Sequence, residues 1–203
     1  MPADETIYEK HYNAYLDQIK GVHLESTAVQ LGAEVKGEAL TIALLNKKFT
    51  VSRQGIAGPD GRTPSYDTCV ILCKYILLCP QSTPQRSEWV GYREFKDSGP
   101  LISYFANAVE GAAASRFTGK LSRLTAAARR LGAYPPGLDI RYDLACQFDV
   151  LPKVPLMLLF NDADEEFSGT CSLLFERRAE DYLDAECLAM VGHHLVRRLG
   201  KGL

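Results

Sequence analysis

Residues Tyr66 to Cys79 are apolar almost all the way round a helical wheel, with Lys74 the one charge beyond Asp67. A helix without a polar face has to be enclosed by other elements. The chain must supply that enclosure, and 203 residues with 46% hydrophobic side chains are enough to do so. This apolar content excludes intrinsic disorder, and the lack of an apolar run near 18 residues excludes a spanning helix. A net charge of −2 argues against a nucleic-acid binder, which needs a concentrated positive surface. The expectation is one domain over residues 1–203 that engages neither nucleic acid nor membrane.

The opening residues Met1 to Glu5 lack the basic and apolar regions of a signal peptide, so the expected location is cytoplasmic. In that reducing compartment Cys69, Cys73, Cys79, Cys146, Cys171 and Cys187 are expected as thiols rather than disulfides. No Cys-x-x-Cys occurs, which removes the zinc-ribbon and thioredoxin readings. Cys69 and Cys79 lie roughly 15 Å apart along one helix, too far to share a cluster. Core packing is the expected role of the cysteines.

Periodicity predicts helices over 4–20 and 24–31, the latter ending at Gly32. Strands are expected at 39–45 and 48–53, joined at Asn46-Lys47, with 34–36 a possible third. Residues 55–61 read as a loop because Gly55, Gly58, Pro59 and Gly61 crowd together. A strand over 89–95 and helices near 100–114 and 116–131 follow, and Pro135-Pro136-Gly137 stops the last of these. Further strands are expected at 140–149, 154–160 and 171–176. A final helix runs from its N-cap Asp184 to Leu199, with Arg197 and Arg198 favourably placed at its negative end. Strands and helices are segregated rather than alternating. This predicts an α+β fold, a mainly antiparallel sheet with flanking N-terminal, central and C-terminal helices.

The densest charge lies at Asn161-Asp162-Ala163-Asp164-Glu165-Glu166-Phe167, between two predicted strands. Asp162, Asp164 and Glu166 alternate like the first ligands of a calcium loop, but the glycine such a loop needs at its sixth position is Phe167. A basic stripe of Arg116, Lys120, Arg123 and Arg130 could answer those carboxylates or simply face solvent. Trp89, Tyr92 and Arg93 could line a pocket. His193 and His194 point about 100° apart on one helix and cannot share a metal; both, like His11 and His23, are expected at the surface. No nucleophile elbow, phosphate loop or dinucleotide fingerprint occurs.

The segments CVILCKYILLC (69–79), EWVGYREFKDSGP (88–100) and the run from Val150 to Gly192 resemble the uncharacterised family DUF3786. The most specific parts are Pro152 and Pro155, the Asp164-Glu165-Glu166-Phe167 turn, Leu174-Phe175, and Tyr182-Leu183 with Glu186. Ser168 stands where members often carry proline. The resemblance implies a prokaryotic protein, typical of anaerobes, whose relatives can accompany iron–sulfur or corrinoid proteins of one-carbon metabolism. It implies no catalytic residue. Two functions are therefore expected. The first is a non-catalytic binding or accessory domain for a small-molecule ligand or protein partner, contacting it through Trp89, Arg93, Asp162, Asp164, Glu165 and Glu166. The second is an enzyme using Asp162, Asp164 and Glu166 for divalent-metal or acid–base chemistry.

Overall fold

The computed structural model describes residues 6–201 of the chain. Asp4 and Glu5, expected at the start of the first helix, lie outside the described residues. Helix α1 (Ile7–Lys20) instead begins behind Thr6, whose side chain and that of Glu9 satisfy each other's backbone amides in a capping box. Helix α2 (Leu24–Leu31) ends where expected, at Gly32 in the left-handed conformation. That glycine is doubly required, because a Cβ there would lie 2.8 Å from the Pro152 side chain.

An antiparallel meander follows: β1 (Glu34–Lys36), β2 (Ala39–Leu44), β3 (Lys47–Ser52) and β4 (Gly55–Ala57). Two details differ from expectation. The β2–β3 turn is Leu45-Asn46, both at positive φ (48° and 61°), one residue earlier than predicted. A leucine in this conformation costs roughly 1–2 kcal/mol. It is held there because its side chain is buried and its amide donates to the Val150 carbonyl at 3.0 Å. Strand β4 falls in the stretch expected to be loop: Ile56 pairs with Val51 and buries its side chain, while its amide donates to the Tyr12 hydroxyl.

Helix α3 (Tyr66–Leu77) is the enclosed helix anticipated above, with eight of its twelve residues buried. It packs against α1 on one side and the C-terminal helix on another. The predicted strand at 89–95 is shorter, β5 (Trp89–Gly91), because the chain turns into a 3-10 segment at Tyr92–Glu94. Helix α4 covers 102–117 and is π-helical from Phe105 to Gly111. There Glu110 reaches past the end of β5 and accepts the free Leu173 amide at 2.8 Å. Helix α5 is Leu121–Arg130.

The second antiparallel sheet consists of β5, β6 (Leu144–Leu151), β7 (Val154–Asn161) and β8 (Thr170–Glu176), in the order β5-β8-β7-β6. Every β7 residue from Val154 to Phe160 is buried, as a central strand covered on both faces requires. Helix α6 (Ala185–Leu199) closes the chain behind its Asp184 cap. Gly192 lets α6 meet α4, since a Cβ there would sit 2.7 Å from the Phe105 ring. The fold is therefore α+β, with two four-stranded antiparallel sheets rather than one. No described helix is long and apolar enough to cross a membrane.

All six cysteines are free, five of them buried and Cys79 half-buried. Burial pushes the Cys69 thiol up to about 11 and those of Cys73, Cys146 and Cys171 up to about 12. A thiol held protonated is a poor nucleophile. Iodoacetamide at pH 8 is thus expected to label Cys79 first and the other five only on denaturation. Early modification of Cys69 or Cys73, read by mass spectrometry, would contradict this packing.

Candidate functional site

In the acidic turn after β7, Asp162 and Asp164 are taken up by backbone amides. Asp162 accepts from the Gly119 and Ala163 amides at 2.6 and 2.9 Å. Asp164 accepts from the Glu166 and Phe167 amides at 2.8 and 2.7 Å, which hold its carboxyl below the usual range. Glu165 and Glu166 are exposed. The structure does not gather Asp162, Asp164 and Glu166 into one cleft, and no three His, Cys, Asp or Glu side chains among the described residues form a metal-binding group. Nor does it bring the turn to the other predicted contact residues. Trp89 is half-buried opposite Glu176, at the far end of β8 from Thr170, and Arg93 is exposed just beyond β5. Six residues of strand separate those ends by about 20 Å. None of the described ion pairs links the turn to Arg116, Lys120, Arg123 or Arg130, all of which are exposed.

A different site is assembled from three remote segments. A cleft of about 580 Å3 opens between the β2–β3 hairpin, the loop leading into α3 and the last turn of α6. This is within the range of ligand cavities. Each wall has a local cause. The hairpin is pinned by the Leu45 amide and by Asn46, whose side-chain amide donates to the Leu131 carbonyl at 2.8 Å. Gly132 at φ 81° leaves space for Asn46, because a Cβ there would lie 2.0 Å from its Nδ2. The loop is closed by Gly58 donating to the Arg62 carbonyl and Arg62 donating to Asp60. Helix α6 is fixed in height by its contact with Phe105 and at its start by the Lys74–Asp184 ion pair at 3.0 Å.

These walls carry cations. Lys47 and Lys48 project from the start of β3, and Arg197, Arg198 and Lys201 from the end of α6, against the single carboxylate of Asp60. Lys48 is paired with Glu34 at 2.9 Å, and Arg197 stands 3.9 Å from Asp67. Lys47 and Arg198 have no ion pair among the described residues. Arg198 is half-buried, and that burial pulls its guanidinium below the usual arginine range. An unneutralised cation in a partly dehydrated cleft attracts an anion more strongly than one in water.

His194 forms part of this cleft and corrects the surface placement expected for it: it is 8% exposed and donates a hydrogen bond from Nε2 to Asp67. Burial, together with the nearby Arg197 and His193, lowers its pKa against the opposing pull of Asp67. Asp67, in spite of its own burial, is held low by Ser65, His194 and the Thr68 amide. On the other side of the pair lies a smaller, more apolar cleft of about 280 Å3, with Leu101, Tyr104, Met190 and His193 in its walls. His193 is half-buried rather than free, sharing a 3.0 Å hydrogen bond with Tyr104. Sequence reading missed Asp67, His194 and Arg198. The signal for Asp67 was available, because an acid on a helix with no polar face needs a partner.

The fold and this cleft define an α+β protein with a positively charged cavity of ligand size. The chain belongs to the family DUF3786, a domain of unknown function, whose match spans residues 23–198. That span also takes in α2 and the first sheet, ahead of the segments that carried the resemblance. No curated protein and no solved structure matches the chain.

Proposed function

We propose that the protein is a cytoplasmic, non-catalytic binding domain that holds an anionic small-molecule ligand in the cleft between the β2–β3 hairpin and the end of α6. The carrying observation is Arg198, half-buried in the cleft wall without an acidic partner among the described residues. Lys47 and Lys201 add to the same field. An accessory role beside iron–sulfur or corrinoid proteins, implied by the family resemblance, is compatible with this reading and places the partner's contact elsewhere on the surface.

Inorganic phosphate is the simplest probe. It is expected to bind saturably at low ionic strength, and Arg198→Gln should weaken it about tenfold, the effect of losing roughly 1.4 kcal/mol. Asp164→Asn, on the acidic turn, should leave it unchanged. Calorimetric titration showing no phosphate binding, or binding indifferent to Arg198→Gln, would remove the proposal. A second reading has one observation in its favour, the Asp67–His194 pair at the cleft wall. A histidine oriented by a carboxylate can serve as a general base. In that enzyme His194→Gln abolishes turnover of the bound anion while phosphate affinity survives.

A further inference from the structure

Resting on the anion-binding reading, we infer that the ligand of this cleft carries two anionic groups separated by an uncharged body. The cations fall into two groups on separate walls. One is Lys47 with Lys48, at the start of β3; the other is Arg198 with Lys201, at the end of α6. Each group contributes a cation that no described carboxylate neutralises, Lys47 in the first and Arg198 in the second. The rest of the lining includes the apolar Leu44, Leu45, Phe49, Pro59 and Pro64, with Asp60 and Arg197 as its further charged side chains. A lone phosphate occupies only a small part of about 580 Å3. A molecule with an anion at each end satisfies both groups and covers the apolar part of the lining. The two ends then act as linked binding events, the second aided by the first.

The test compares two probes with the same body on the full-length protein. These are hexyl phosphate, with one anionic end, and hexane-1,6-diyl bisphosphate, with two. Calorimetry at low ionic strength is expected to show the bisphosphate binding at least tenfold more tightly. Lys47→Gln and Arg198→Gln should each erase that advantage, and only one of them should weaken hexyl phosphate. Arg129→Gln, which removes an exposed cation on α5 outside the cleft, should leave the advantage intact and so report on nonspecific charge. Equal affinity for the two probes, or an advantage that persists in both cleft variants, overturns the two-headed ligand while leaving the anion site standing. Failure of both probes to bind overturns the anion site itself, and this inference with it.

Discussion

Tyr75→Ala is expected to unfold the protein at temperatures that the unaltered chain tolerates easily. Tyr75 lies on α3, is 0% exposed, and its hydroxyl joins two segments that are far apart in the chain. It donates to the Leu31 carbonyl at 2.7 Å and accepts from the Lys153 amide at 3.1 Å. The Leu31 carbonyl ends α2 and has no partner within its own helix. Lys153 lies in the turn between β6 and β7. Removing the ring costs about 3–5 kcal/mol by leaving a cavity, and the two stranded backbone groups add to that. Such a loss is a large fraction of the roughly 5–15 kcal/mol that holds a domain folded. Tyr75→Phe separates the terms. It keeps the ring and its contact with Tyr182, whose centroid is 5.7 Å away, and removes only the bridge. It is expected to cost about 1–3 kcal/mol, a fall in Tm on the order of 5 °C for a chain of this size. A Tm unchanged in Tyr75→Phe would mean that water reaches both orphaned groups and that the hydroxyl joins nothing of consequence.

The parts of the fold that were legible in the sequence are those decided by neighbours in the chain. The end of α2 at Gly32 and the start of α6 behind Asp184 were read correctly because caps act within four residues. Enclosure of α3 followed from its lack of a polar face. Strand β4 was missed because its glycines signal a turn, while its pairing with β3 depends on Val51 and Ile56 meeting in space. Nothing local puts a leucine at positive φ, so the true turn at Leu45-Asn46 follows from the Val150 carbonyl rather than from turn chemistry. The π-helical stretch of α4 coincides with Glu110 reaching Leu173, 63 residues away.

The candidate site was less legible, for a related reason. Charge along the chain is densest at Asp162, Asp164, Glu165 and Glu166. Dense local charge is also what local backbone amides satisfy most easily, as Asp162 and Asp164 show, while Glu165 and Glu166 face solvent. The cationic cleft has no density along the chain. Lys47 and Arg198 become neighbours of one cavity only after the first sheet has docked beside α6. Arg197 and Arg198 suit the negative end of the helix dipole, a local preference that holds for the helix and carries no signal of the cleft.

The Asp67–His194 pair is expected to make the protein acid-labile from near neutrality downward. His194 is buried between α3 and α6, and its folded pKa lies below the value of about 6.5 that it regains on unfolding. The unfolded chain therefore binds a proton that the folded one refuses as pH falls below that point, and stability declines until the folded pKa is passed. Asp67 acts in the same direction further down. Its folded pKa is also depressed, so its contribution is complete above the ordinary aspartate range and lost as pH falls through the folded value. Glu110 opposes both, because burial raises its pKa and a carboxyl that protonates more readily when folded favours the native state in acid. The difference between unaltered protein and His194→Gln isolates the first effect. Urea midpoints taken from pH 8 to pH 5 should fall for the unaltered chain and change much less for the variant over the upper part of that range. Parallel curves for the two proteins between pH 7 and pH 5.5 would show that His194 takes up its proton equally in both states, and the buried neutral histidine described for this cleft would then be wrong.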